Sequence, residues 1–273
     1  MASNFEFDAL RFARNYRRAL LREFEPYLKG EVIEVGAGIG QFTELLLQLP
    51  QVQRVLAIEP NASFCEELRR RLADSSRRRE EALIKLRTPP STLRIGCYRT
   101  LNGTVADLEP GTTCDAIVSV NVLEHIEDDV AELTAYAQLL KEKGGALCLF
   151  VPARQEIYAP LDKDFGHFRR YSKRELKQKL QQAGLTPIRL NYFNFIGYFA
   201  WWFNFHILRQ RSFSEGSVRF FDRVIFPVVH KLESQIVRPP IGQSLLASAP
   251  RGSDRLARSA FARIPNSAFS LQP

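Results

Sequence analysis

Several residue types that would narrow the reading are scarce. The 273 residues include one Met, two Trp, four His and four Cys. Cys65, Cys97, Cys114 and Cys148 are scattered, with no Cys-x-x-Cys pair and no metal-ligand spacing. Neither a disulfide framework nor a metal centre is expected from them. Two or more of them suit strands as small buried hydrophobes, and their usage suits a reducing compartment. The N-terminus, Met1-Ala2-Ser3-Asn4-Phe5-Glu6, lacks a basic n-region and an apolar h-region. No secretory signal is expected, and a cytoplasmic location is. The most aromatic stretch, residues 192–208, is interrupted by Asn194, Gly197, Asn204 and His206. A membrane span needs about 20 mainly apolar residues, so this stretch is not read as one.

What is present is ordinary globular usage, 45% hydrophobic and 25% charged. This excludes a wholly disordered chain, a fibrous repeat or a small stapled scaffold. The net charge of +8 is concentrated in Arg69 to Arg71, Arg77 to Arg79 and the C-terminal tail. Nucleic acid or anionic lipid could use such a surface, but a solvated basic helix face is the plainer reading.

Apolar periodicity gives the fold class. Residues 9–28 read as an amphipathic helix, with Leu10, Ala13, Tyr16, Leu20 and Phe24 at helical spacing. Strands are expected at Glu31–Val35, Arg54–Glu59, Leu93–Tyr98, Asp115–Val120 and Ala146–Val151. Helices are expected at 41–49, 62–86 and 128–142, with Pro89-Pro90 breaking the second. Ser172-Lys-Arg-Glu175 is a capping-box pattern opening another helix that Gly184 closes. Leu185–Tyr192 offers a return to the sheet edge. Strands apolar throughout, alternating with helices, imply an α/β doubly wound, mostly parallel sheet covered on both faces.

The chemistry is concentrated at Glu34-Val-Gly36-Ala-Gly38-Ile-Gly40, a strand running through a glycine turn into a helix. Such a turn lets backbone approach a ligand. Glu59 ends the next strand, where an acid can accept both hydroxyls of an adenosine ribose. The glycine spacing departs from the dinucleotide fingerprint, and Pro60-Asn61 follow Glu59 where a base for a 2′-phosphate would stand.

With these features the chain resembles the class I S-adenosylmethionine-dependent methyltransferases. Ser119-Val-Asn-Val-Leu-Glu-His-Ile-Glu-Asp-Asp129 is similar to the fourth-strand motif of the small-molecule branch, of the ubiquinone-biosynthesis type. Val151-Pro-Ala, Asp164-Phe-Gly-His-Phe-Arg-Arg-Tyr-Ser172 and Pro239-Pro-Ile-Gly-Gln-Ser-Leu245 resemble a bacterial-type subgroup. The resemblance covers residues 9–248. It implies S-adenosylmethionine as cofactor, with Gly36, Gly38 and Gly40 under its methionine moiety and Glu34 near the ammonium. Glu59 and Pro60 would lie at the ribose, Asp107 at the adenine amino group, and Asn121 and Val122 along the cofactor. The domain order it implies is an N-terminal helical cap (1–30), the catalytic domain (31–192), an aromatic helical extension (193–249) and a flexible tail (250–273).

His167, in a loop, is the expected base or substrate ligand, or else orients that loop by hydrogen bonding. His125 is a second catalytic candidate, or a helix-start contact; His206 and His230 are read as structural. Arg169, Arg170 and Tyr171 can bind an anionic acceptor; ion pairing with Asp162 or Asp164 is the alternative. Tyr16 either closes over the cofactor or packs in the core. The aromatic stretch is a lid or wall over an apolar acceptor, a peripheral membrane contact, or added core.

The expected reaction is methylation of a small-molecule or lipid-like acceptor at oxygen or carbon. A non-catalytic scaffold and a nucleotide-dependent oxidoreductase or epimerase are the competing readings. No tyrosine has Lys four residues on, as a short-chain oxidoreductase would. No Asn/Asp-Pro-Pro-Tyr and no Pro-Cys occur, so no nucleic-acid substrate is expected.

Overall fold

The computed structural model describes residues 12–85, 97–212, 214–235 and 239–251. Its strands are β1 (Gly30–Val35), β2 (Val52–Glu59), β3 (Cys97–Asn102), β4 (Ala116–Val120), β5 (Ala146–Pro152), β6 (Arg189–Phe193) and β7 (Ser244–Pro250). They form one sheet in the order β3-β2-β1-β4-β5-β7-β6. Pairing is parallel from β3 through β5, and β7 runs antiparallel between β5 and β6.

Alternation along the strands explains the two layers around the sheet. Val32, Val55, Val118 and Cys148 point into one core with Leu20 and Phe24 of α1 (Arg14–Phe24) and Leu68 and Leu72 of α3 (Ala62–Lys85). Between them in sequence lies the single-turn α2 (Thr43–Leu46). Ile33, Ile58, Ile117 and Leu149 point into the other core, with Leu133 and Tyr136 of α4 (Asp129–Leu139). Burial on both faces is why these strands lack polar alternation.

Most expected elements are found. The helix expected at 41–49 shrinks to α2, since the glycine turn and Pro50 leave room for little more. The third strand starts at Cys97 and runs past Tyr98 to Asn102. As the sheet's edge it is largely exposed, so it carries no apolar run to mark it. Residues 1–11, the Pro89-Pro90 break and 252–273, most of the expected tail, lie outside the described residues.

The expected extension over 193–249 is an insertion within the sheet's connectivity. β7 lies inside it and hydrogen-bonds between β5 and β6. The helices between β6 and β7 are preceded in chain order by α5 (Pro160–Asp164) and α6 (Lys173–Gln182). They are α7 (Phe195–Trp201), continuing as a π-helical turn Trp202–Ile207, then α8 (Glu215–Phe220), a π-helical turn Phe221–Ile225, and α9 (Phe226–Gln235). No helix among the described residues is long and apolar enough to cross a membrane.

Asp222 fixes this insertion to the start of the fold. It is buried, and its two carboxylate oxygens accept the backbone N–H groups of Asn15 (3.0 Å) and Tyr16 (2.9 Å). These are orphan donors of the first turn of α1, whose own N-cap, Ala13, supplies no side-chain bond. The cap thus comes from 207 residues away. Asp222→Ala is expected to lower stability by about 1–2 kcal/mol, and Asp222→Asn by less. Denaturant unfolding measures both, and equal loss in the two variants would remove the capping explanation.

Candidate active site

The strand order reverses direction between β1 and β4, and in such sheets the ligand crevice lies at the carboxyl ends there. At that point β1 enters the glycine turn. Gly36, Gly38 and Gly40 all have positive φ (70°, 54° and 82°). The N–H groups of Gly36 and Ala37 both donate to the Ile58 carbonyl, folding the turn over the end of β2. A Cβ on Gly36 would stand 2.3 Å from Val122 Cγ2, and one on Gly40 would stand 2.5 Å from Leu68 Cδ1. These positions require glycine for both backbone shape and space.

Two carboxylates flank the turn. Glu59 is buried; its Oε2 accepts the Gly38 N–H at 2.8 Å and its Oε1 the Asn61 N–H at 2.9 Å. Burial holds its carboxyl above the usual range, opposed by these two backbone bonds. Pro60 is exposed beside it, and Asn61 Oδ1 caps α3 by accepting from Ser63. Glu34 is 4% exposed, and its Oε2 has no hydrogen-bond partner. Burial pushes its carboxyl up to about 8; the Thr43 hydroxyl offsets part of this and the charge on Glu59 adds to it.

Asn121 follows β4 in the left-handed region, at φ 53°, with its N–H on the Phe150 carbonyl (2.8 Å). This is sparsely populated backbone at the switch point, where strain is commonly held. Asp107 stands exposed near the end of β3. Its Oδ2 accepts from the Thr104 N–H (2.7 Å) and hydroxyl (3.0 Å), which pulls its pKa down. The structure therefore brings Glu34, the glycines, Glu59, Pro60, Asp107, Asn121 and Val122 to the carboxyl ends of four adjacent strands.

His125, in the turn after β4, meets His167, their rings edge to face at 4.7 Å between centroids. His167 Nδ1 lies 2.9 Å from Asp162 Oδ1, which fixes the ring, while Nε2 is buried without a partner. Burial and the neighbouring His167 push His125 down to about 4, with a hydrogen bond to the Gly166 backbone opposing. The His125 ring is therefore neutral at physiological pH.

The three residues expected at an anionic acceptor are engaged elsewhere. Arg170 is 2% exposed and grips Asp162 through Nε (2.9 and 3.0 Å) and Nη2 (2.9 Å). Arg169 Nη1 meets Asp129 Oδ2 at 2.7 Å, and the fully buried Tyr171 hydroxyl donates to the same oxygen at 2.8 Å. Lys179 completes the cluster around Asp129 at 2.7 Å. Ion pairing with Asp162, the alternative weighed from the sequence, describes Arg170, whereas Arg169 pairs with Asp129. Tyr16 packs edge-on against Phe150 and Phe193, so it belongs to the core. His230 stacks on Phe226, and His206 Nδ1 lies 3.1 Å from the Tyr158 carbonyl oxygen, both structural contacts. Sequence reasoning missed Asp129 as an ion-pair centre. It named Asp162 only as a partner for arginine, and Glu124 only within a motif.

The orphaned Glu34 oxygen and the three positive-φ glycines fit the cationic methionine end of S-adenosylmethionine, and Glu59 fits its ribose. Fold and site together define an S-adenosylmethionine-dependent methyltransferase of class I. A sequence profile of the family described as methyltransferase domain matches residues 7–190, and the chain belongs to that family. No curated protein matches it. Among solved structures it is similar to an S-adenosylmethionine-dependent methyltransferase from Clostridium acetobutylicum (10% identity, 87% of this chain and 91% of that one, TM-score 0.53). It is also similar to the N-methyltransferase NodS from Bradyrhizobium japonicum in complex with S-adenosylhomocysteine (16%, 88% and 87%, 0.52). Mitomycin 7-O-methyltransferase MmcR is a third (16%, 0.53), with 90% of this chain covering 54% of that protein. At these identities the likeness shows the fold.

The raised Glu34 pKa has a consequence for stability. At neutral pH the folded protein holds a proton on Glu34 that the unfolded chain, titrating near 4.5, has released. The stability this proton uptake contributes is full below the unfolded pKa and falls as pH rises through about 8. Glu34→Gln is expected to flatten that fall, raising Tm by several degrees at about pH 9 with little change at about pH 5. Thermal unfolding across pH measures this, and an unchanged slope in the variant would mean Glu34 stays ionised.

Proposed function

We propose that the protein transfers the methyl group of S-adenosylmethionine to a hydroxyl oxygen of a small-molecule or lipid-like acceptor. The observation that carries this reading is His167. Its Nδ1 is held by a buried carboxylate and its Nε2 has no hydrogen-bond partner, edge to face with the His125 ring. A sulfonium needs no help to leave, so the enzyme's tasks are in-line positioning and activation of a protonated acceptor. An oriented imidazole suits a hydroxyl. Glu34 and Glu59 hold the methyl donor, with Gly36, Gly38, Gly40, Pro60, Asp107, Asn121 and Val122 lining it. His167 and His125 are the catalytic residues at the acceptor end. Arg169, Arg170 and Tyr171 act as positioning residues, through Asp129 and Asp162. Quinone precursors of the ubiquinone-biosynthesis type fall within this acceptor class, as do hydroxylated secondary metabolites. MmcR is named as an O-methyltransferase.

His167→Ala is expected to lower kcat by roughly 10²–10⁴-fold while calorimetric affinity for S-adenosylmethionine stays within about twofold, read in a screen of hydroxylated aromatic acceptors. Full activity in this variant would remove the acceptor-activating role. Loss of donor binding in both native protein and variant would sink the methyltransferase assignment of the site.

The insertion supports peripheral contact with an anionic membrane surface. Of the ten exposed large apolar side chains among the described residues, nine lie between Phe199 and Leu232. Exposed Arg209, Arg211, Arg219, Arg223 and Lys231 are interleaved with them. Apolar side chains among cations match a negatively charged lipid interface. Sedimentation with phosphatidylglycerol vesicles is expected. It should weaken with salt, be absent with neutral phosphatidylcholine, and fall at least tenfold in Trp202→Ala/Phe203→Ala, which removes about 3–6 kcal/mol of apolar burial. Equal binding to both lipids, or none, would leave this face to a protein partner or to solvent.

A further inference from the structure

The corner around His167 carries more than an oriented base. Glu124, His125 and His167 each offer a ligand atom, and these atoms all lie within 4.8 Å of one another. No other group of three such residues with this spacing occurs among the described residues. Glu124 is fully buried in the 3-10 turn Leu123–His125, directly after β4. His167 is 9% exposed and is brought there by its own loop, where the Phe168 N–H donates to the Glu124 carbonyl at 2.8 Å.

Both rings are set for ligation. The carboxylate of Asp162 takes His167 Nδ1, and the Gly166 backbone takes the His125 ring. Metal-bound histidines are oriented in this way, one ring nitrogen bonded to a carboxylate or carbonyl while the other faces the ion. Edge-to-face packing of the two rings would account for the ring contact. It does not account for a buried Nε2 without a partner, which costs about 1–3 kcal/mol when nothing compensates it.

We propose that Glu124, His125 and His167 bind one divalent transition-metal ion, zinc or a zinc-like ion such as cobalt(II), with a coordination position left for the acceptor's oxygen. Two imidazoles and one carboxylate are a ligand set of catalytic zinc sites, which keep an open position. Magnesium, which prefers oxygen ligands throughout, fits the pair of histidines poorly. Zinc bonds of about 2.0–2.2 Å hold ligand atoms about 3.4 Å apart. The widest pair here therefore closes by at most about 1.4 Å on binding, a side-chain rotation open to the partly exposed His125. Such an ion acidifies a hydroxyl bound to it, and the released proton leaves to solvent. On this inference the His167 lone pair activates the acceptor through the ion rather than by taking its proton directly. The inference deepens the proposed function and rests on it for the acceptor alone, since metal binding needs neither methyl donor nor acceptor.

The test uses the full chain, stripped with a chelator and titrated with cobalt(II) in the absence of S-adenosylmethionine. One cobalt(II) per chain with a visible d–d band, displaced by one zinc(II), is expected. His125→Ala, His167→Ala and Glu124→Gln should each weaken binding at least tenfold, and zinc should raise the Tm of the native chain and not that of His125→Ala. His125 is the most exposed of the three, so its variant keeps the test open if the buried variants do not fold. No stoichiometric cobalt or zinc in the native chain overturns the inference, as does binding that persists unchanged in His125→Ala. Calorimetry with S-adenosylmethionine on the same metal-free preparation separates failure of the metal site from failure of the methyltransferase reading.

Discussion

The carboxylate of Asp162 is fully buried, and the corner that holds His167 is assembled on it. Its Oδ1 takes His167 Nδ1 and Arg170, while its Oδ2 accepts the Ala159 N–H at the start of α5 and shares Arg170 Nε. Arg170 in turn donates to the Ala153 carbonyl at the end of β5 and lies 4.3 Å from the centroid of the Trp201 ring. One side chain thus ties the His167 loop, a helix start, the sheet and the helical insertion together. Removing two charges from water is expensive, and an ion pair at this depth is kept for what it specifies more than for stability. Here it specifies which nitrogen of His167 remains available. Burial alone would raise the Asp162 carboxyl, but the His167 hydrogen bond, Arg170 and the Ala159 N–H together hold it below the usual carboxylate range, so the pair stays charged.

A second buried acid has the same role in a neighbouring layer. Asp129 receives Arg169, Lys179 and Tyr171, linking α4, α6 and the loop that carries His167. The segment from His167 to Tyr171 is therefore held at both ends by carboxylates. That is why Arg170 and Tyr171 face inward and Arg169 is only partly exposed.

The donor half of the site was readable from the sequence because its signals are local. Gly36, Gly38 and Gly40 mark backbone that only glycine adopts easily, and Glu34 and Glu59 end apolar strands whose burial is written into their composition. The histidine corner was readable only residue by residue. His125 and His167 stand 42 positions apart, and nothing in spacing says that their rings touch. Asp129 meets Arg169 across 40 positions. β7 escaped because Ser244–Pro250 mixes Ser, Ala and Pro with two leucines and follows Pro239-Pro240, a segment without strand composition that is nonetheless buried at every position. Pairing with strands on both sides overrides its weak propensity.

The aromatic stretch resists one label for a physical reason. Trp201 and Phe205 are buried with Ile157, Leu161 and Phe165, which makes them wall and core beneath the His167 loop. Phe199, Trp202 and Phe203 on the same run face outward. The wider π-helical turn at Trp202–Ile207 shifts the register of the helix, so the run does not present one clean apolar face. At the donor end two acids are buried, and burial holds a proton on Glu34 at neutral pH that a cation placed beside it would displace.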